Sequence, residues 1–248
     1  MSIVAQVSDL HFNGDPVHRR RARALLDYLH STAGGGSEID ALIVSGDLAD
    51  EGTQDEYREA FENIVTDIPT LVLLGNHDDR AAFTTVRDGE ASTAPVNSSL
   101  VRDGLLVLAL DSSIPGRNDG ALSPETLEYA RAEIAAAGDV DVLVSFHHPP
   151  AVIGLPMMDE RRLFDTAGLE ALIADHPNIV GLAVGHAHTP AATIFAGRPL
   201  VIAPGSASTL NLPLEGADVL NQTQGPGLVF HVIDDHRMTS HFRVLSTW

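Results

Sequence analysis

The chain reads as an α/β protein in which two sheets pack face to face with helices outside. Three observations carry that reading. Short, continuously apolar segments alternate with helical stretches through residues 3–184, as buried α/β strands do. Four strand segments, near 191–196, 199–203, 227–233 and 239–245, follow without intervening helices and read as hairpin-connected. With 248 residues, 44% hydrophobic and 20% charged, the chain can bury one sizeable core, so 1–248 is taken as a single domain.

The elements follow in order. Strand 3–8 leads to helix 16–31 and strand 41–45. Helix 54–65 opens on Thr53-Gln54-Asp55-Glu56, the spacing of a capping box. Strand 70–74 precedes a short helix near 79–87, with Asp78 and Asp79 expected as its caps. The second half reads strand 105–110, helix 124–137, strand 141–146, helix 160–175 and strand 179–184. Ser123-Pro124-Glu125 places a cap, a first-turn proline and an acid at the positive end of helix 124–137. Leu127, Ala130, Ile134 and Ala137 give that helix one face to bury. Residues 204–226 show no periodicity. A loop that long in a compact domain is functional or mobile, and a flap near the site is expected.

Composition narrows the chemistry. No cysteine is present, which excludes disulfides, iron–sulfur clusters and thiolate zinc sites. Any metal must be held by oxygen and imidazole nitrogen. A net charge of −19 argues against general nucleic-acid binding. Lysine is absent, so all 15 cationic side chains are arginine. No apolar run reaches the ~18 residues of a membrane span, and Met1-Ser2-Ile3 enters a strand with no basic leader. A soluble, cytoplasmic protein without a membrane partner is expected.

Five strands end in His, Asp or Asn. Asp9-Leu10-His11 follows the first strand, Gly46-Asp47 the second and Gly75-Asn76-His77-Asp78 the third. His147-His148-Pro149 follows 141–146, and Gly185-His186-Ala187-His188 follows 179–184. Ligands gather beyond the carboxyl ends of strands in open α/β sheets, so these clusters can converge. Asp9, His11, Asp47, Asn76, His147, His186 and His188 are candidate metal ligands. An all-nitrogen-and-oxygen set suits Mn, Fe, Zn or Co. Seven ligands are too many for one ion but suit two divalent or trivalent ions sharing a carboxylate.

Two divalent ions, two aspartates and one hydroxide leave a net charge of about +1, which attracts an anion. Ions ~3.5–4 Å apart can clamp a phosphate and activate water for in-line attack. The leaving oxygen then needs a proton donor. His77 projects nearby, and Asp50 is expected to hold its other ring nitrogen. His148 and Arg80 are candidate substrate contacts with Asn76, although His148 could instead buttress His147 and Arg80 lie on a helix surface. Asp111 is read as satisfying main-chain N–H groups. Met157 and Met158 could form a soft wall or simply pack.

In this order Asp9-x-His11, Gly46-Asp47-x-x-Asp50, Gly75-Asn76-His77-Asp78, His147-x-Pro149 and Gly185-His186-x-His188 resemble the calcineurin-like metallophosphoesterase family. The match runs from residue 3 to about residue 205. Ala109–Gly116, Asp79-Arg80 and His148-Pro149-Pro150 add a resemblance to class III bacterial cyclic nucleotide phosphodiesterases and related glycerophosphodiesterases. The resemblance implies a four-layer α-β-β-α sandwich with two mixed sheets, of the metallo-dependent phosphatase type. It assigns Asp9, His11, Asp47 and His188 to one ion, and Asp47, Asn76, His147 and His186 to the other. It implies hydrolysis of a small phosphodiester or nucleotide, 3′,5′-cyclic AMP first, and leaves a homodimer open. A phosphomonoesterase or nucleotide-metabolite pyrophosphatase would use the same site, since specificity lies in the surrounding loops. A non-catalytic scaffold would be expected to have lost ligands.

Overall fold

Strands with two apolar faces need cover on both, and here a helix layer supplies one cover and a second sheet the other. The computed structural model describes residues 1–246 and 248. Its first elements are β1 (Ser2–Val7), α1 (Pro16–His30), β2 (Ala41–Ser45), α2 (Gln54–Asn63), β3 (Thr70–Leu73) and α3 (Arg80–Asp88). Then come β4 (Ser98–Arg102), β5 (Leu105–Ala109), α4 (Pro124–Ala137), β6 (Asp141–Ser145), α5 (Pro156–Asp159), α6 (Ala167–Asp175) and β7 (Ile179–Val184). The remainder is β8 (Ala191–Phe195), β9 (Arg198–Ile202), β10 (Thr209–Leu210), β11 (Leu220–Asn221), β12 (Gly227–Asp234) and β13 (Arg237–Val244).

One sheet has the order β13-β12-β1-β2-β3 and the other β4-β5-β6-β7-β9-β8, each mixing parallel and antiparallel pairs. Strand alternation sorts the apolar side chains into three layers. In β2, Leu42 and Val44 face α1 and α2, packing with Leu25, Leu29 and Tyr57. Ala41 and Ile43 face the other sheet, meeting Val107, Leu143 and Ala183. Leu106, Val144 and Leu182 close the third layer with Ile134 and Leu172 of α4 and α6. The result is the expected helix–sheet–sheet–helix stack. Among the described residues no helix is long and apolar enough to cross a membrane.

The capping box at Thr53 forms as read, with Glu56 returning to the Thr53 N–H at 2.8 Å. One expectation needs correction. The helix expected over 160–175 is broken, because Leu163 turns into the core and its N–H bonds Pro149 O at 3.0 Å. The last four long strands pair as two antiparallel hairpins, as read. The β8–β9 hairpin completes one sheet and β12–β13 the other. Strand β4 was unread, since an exposed edge carrying Ser98, Ser99 and Arg102 offers no clear apolar face. Residues 204–226 contain the small antiparallel pair β10–β11.

Candidate metal centre

β1, β2 and β3 run parallel in one sheet, and β6 and β7 run parallel in the other, so all five chemically equipped ends point the same way. The ends are stitched across the sandwich. His147 Nδ1 donates to Ser45 O at 2.7 Å, and the His186 N–H donates to Asp9 Oδ1 at 3.2 Å.

Among the described residues nine non-glycine residues have positive φ, and five of them are candidate ligands: Asp9, His11, Asp47, His186 and His188. The other four, Asp103, Ala196, Asp235 and His236, sit in hairpin turns, where that conformation is ordinary. At strand ends it costs of order 1–3 kcal/mol per residue and marks backbone bent to aim side chains. Space is also reserved. A Cβ at Gly46 would lie 2.2 Å from His147 Nδ1, and one at Gly75 would lie 2.2 Å from Asp47 Oδ1. Those glycines are required by close approach of the ligands themselves.

The imidazoles are oriented by what binds Nδ1. His11 Nδ1 meets Asp50 Oδ1 at 3.1 Å, and His188 Nδ1 meets Ser208 O at 3.2 Å. His147 Nδ1 is held by Ser45 O. These three thus keep Nε2 as a lone pair, the tautomer a metal ligand needs. His148 is the exception. Ser112 Oγ accepts from the His147 and His148 N–H groups at 3.2 and 3.3 Å, so its own hydrogen goes to His148 Nδ1 at 2.8 Å. That leaves His148 Nε2 protonated, a donor rather than a ligand.

Several of these atoms have no partner. Asp9 Oδ2, Asn76 Oδ1, His147 Nε2 and His186 Nε2 are buried and make no hydrogen bond. His11 Nε2 and His188 Nε2, both lone-pair acceptors, confront each other at 3.2 Å. His147 Nε2 lies 3.2 Å from Asp47 Oδ2, His188 Nε2 3.5 Å from Asp9 Oδ1, and His11 Nε2 3.7 Å from Asp47 Oδ2. Donors bound at roughly 2.1 Å to one ion stand roughly 3–3.5 Å apart, so this spacing fits cations. One compact group is Asp9, His11, Asp47 and His188, and another is His147, His148 and His186, of which His148 presents an N–H rather than a lone pair. The residues present therefore fit a two-ion N/O site.

The electrostatics agree. Burial would raise the Asp47 carboxyl, but His147, His11 and His77 outweigh it and hold it well below the usual range. Burial works against charge on His147, yet Asp47 and Asp9 raise it to about 9. Burial likewise opposes charge on His11, and Asp50, Asp47 and Asp9 overcome it. The buried carboxylates demand positive charge, from protons or from metal ions.

The cleft above this cluster has a volume of about 410 Å³. Asn76, His77, Asp50, His186 and His188 line it, with Met157, Met158 and Leu210 as its apolar wall.

Four expectations change here. The Asp50 carboxylate serves His11, and His77 Nδ1 is instead held by the Asp50 main-chain carbonyl at 2.7 Å. Arg80 does not reach the cleft. Its guanidinium binds Asp111 Oδ2 and Ser113 O, each at 2.8 Å, because Asp111 is buried and requires a cation. Asp111 also accepts the Val96 and Ser113 N–H groups, as read. His148 is fully buried against His147 and His186, a buttress with no route to substrate. Asp79 caps α3, but Asp78 turns inward to bind the Leu48, Ala49 and Gly75 N–H groups and the Tyr57 hydroxyl.

Sequence reading missed Ser112, Ser208 and Arg161, which also lines the cleft. Ser112 lies within the Ala109–Gly116 stretch that carries the narrower resemblance, without a role having been read for it, and Ser208 and Arg161 sit in no pattern that distinguishes them from ordinary loop residues.

The family profile of the Calcineurin-like phosphoesterases matches residues 3–190. A Rhodococcus erythropolis protein named a probable cyclic nucleotide phosphodiesterase is 32% identical over 225 residues, covering 85% of this chain and 72% of that protein. A cAMP/cGMP dual specificity phosphodiesterase of Mycobacterium tuberculosis is 29% identical over 251 residues, covering 94% and 76%. Among solved structures, a dimetal phosphatase from Danio rerio superposes with a TM-score of 0.72 over 98% of this chain and 96% of that one. At 10% identity that likeness speaks to fold alone.

Proposed function

Because the chain belongs to the calcineurin-like phosphoesterase family, we propose that it hydrolyses a small phosphodiester, 3′,5′-cyclic AMP in the first place. The observation that carries the reading is the set of buried, partnerless oxygen and nitrogen atoms on Asp9, Asn76, His147 and His186. Two transition-metal ions, Mn or Fe first, would supply the phosphate clamp and the activated water. Asp9, His11, Asp47 and His188 would hold one, and Asp47, Asn76, His147 and His186 the other.

The remaining roles belong to the protein. His77, half-exposed at the cleft, presents Nε2 to the leaving oxygen, because Nδ1–H is held by the Asp50 carbonyl; it gives that oxygen a proton when the ring carries both of its protons. Asp50 acts one step back, through His11. Its carboxyl is held down to about 2, chiefly by the bond to His11, so it stays an anion at neutral pH. The apolar wall of Met157, Met158 and Leu210 suits a nucleoside better than a second anion. Relatives named for cyclic nucleotides support that choice of substrate. A soluble cytoplasmic enzyme is the matching setting.

The test is turnover by purified protein supplied with Mn²⁺, against cyclic AMP and an activated aryl phosphodiester. Asp47→Ala and Asn76→Ala should each lower kcat/KM by at least about 100-fold, with the fold intact by circular dichroism. Full activity in both variants would overturn the site, and failure on both substrates would overturn the reaction.

A further inference from the structure

Arg21 is fully buried, yet among the described residues it has no carboxylate partner. Burying a guanidinium is costly unless every donor finds an acceptor. Here the acceptors are main-chain carbonyls. Nε donates to Ser206 O at 2.6 Å, Nη2 to Gln224 O at 2.8 Å and Nη1 to Gln222 O at 3.5 Å. The Trp248 ring covers the guanidinium, 4.4 Å from Cζ to the ring centroid.

These carbonyls have a common location. Ser206 precedes β10, and Gln222 and Gln224 follow β11, so one planar group grips both legs of the β10–β11 hairpin. Between the grips, Ser208 orients His188, and Leu210, Leu220 and Gln222 face the cleft. The hairpin tip is solvent-exposed, with Leu214 84% accessible. Its hydrogen bonds are internal: Asn211 N–H to Val219 O, and Leu212 N–H to Glu215 Oε2. The first leg is also tied to the body, by the Ser206 and Ala207 N–H groups to Ser8 O and Asp9 O and by the Thr189 hydroxyl to Leu210 O, so what Arg21 adds is the tie of the second leg, at Gln222 and Gln224, to the first.

We propose that Arg21 is a positioning residue that clasps the two legs of the β10–β11 hairpin, setting the wall that contacts the substrate beyond its phosphate. The planar fork suits this task because its donors point in fixed, divergent directions. Lysine offers one compact charge and cannot span the two legs. The clasp is specific to the hairpin. A small aryl diester held mainly at the metal ligands gains less from the wall than a nucleotide does. The substrate arm rests on the phosphodiesterase reading, and the exchange arm does not.

The experiment compares wild type, Arg21→Lys and Arg21→Gln by hydrogen–deuterium exchange and by steady-state kinetics with Mn²⁺. Expected is at least tenfold faster exchange in a peptide covering 206–224 in both variants, with α1 and β1 unchanged. Cyclic AMP should lose at least five times more kcat/KM than bis(p-nitrophenyl) phosphate, mostly through KM, and Lys should recover part of the loss. Unchanged exchange over 206–224, or faster exchange spread over the whole chain, would overturn the clasp. So would equal losses on both substrates. If wild type turns over neither substrate, the phosphodiesterase reading fails, while the exchange result still decides the clasp.

Discussion

His231 reports on the interior away from the candidate ligands, and its behaviour can be worked from its bonds. It is fully buried on β12, between Gln6 Oε1 at 2.9 Å and Ser240 Oγ at 2.8 Å. Gln6 spends its amide hydrogens on Ser45 Oγ and Val184 O, so its Oε1 must accept from His231 Nε2–H. Nδ1 therefore accepts from the Ser240 hydroxyl, and the ring is neutral. Burial pushes its value down from 6.5 to about 3. Between those two values the unfolded chain binds a proton that the folded chain refuses. Stability therefore falls as pH drops below 6.5 and the loss is complete near 3. From pH 7 to pH 5 the loss from this one residue is about 2 kcal/mol.

His231→Gln keeps polar atoms in the site but cannot titrate. Urea denaturation of both metal-loaded proteins across pH 5–7.5 measures the gap between them. The variant is expected to be less stable at pH 7.5, with the gap shrinking by about 2 kcal/mol toward pH 5. The difference cancels every other titrating group, including the ligand histidines. A gap independent of pH would refute the assignment of His231 as a buried neutral base.

Two further variants separate structure from chemistry. Arg80→Met leaves Asp111 buried without its cation and should cost about 3–5 kcal/mol in thermal denaturation; a severalfold rise in KM with stability unchanged would return Arg80 to the substrate. Asp50→Asn weakens the acceptor of His11 while leaving the carbonyl that holds His77, so metal affinity should fall about 10–100-fold in a chelator competition. Loss of kcat at unchanged metal affinity would instead make His77 the partner of that carboxylate.

Some of this was readable in sequence and some was not, for a physical reason. A polar cluster directly after an apolar strand is a local signal, and chain direction alone sends parallel strand ends to one side. Hence Asp9, His11, Asp47, Asn76, His147, His186 and His188 could be picked out, and the structure brings them together. Partner choice is not local. Asp50 lies 39 positions from His11 and 27 from His77, and only the fold decides that its carboxylate takes the first and its carbonyl the second. Asp78 and Asp79 look alike as caps, yet one turns inward because the Leu48 and Ala49 N–H groups await it. Arg21 had a signal that went unread: it shares the helical spacing of Leu25 and Leu29, the buried stripe of α1.

Gly75 offers something none of the ligands does. Its backbone lies outside the left-handed region, so only space forbids a side chain there. An alanine methyl would stand 2.2 Å from Asp47 Oδ1 and 2.6 Å from His147 Nε2, and relief to ordinary contact means a displacement of about 1 Å. One carbon atom thus acts as a lever on the carboxylate expected to be shared by two ions, without altering any donor. Glycine spacers of this kind make the inter-ion geometry adjustable by residues that carry no chemistry of their own.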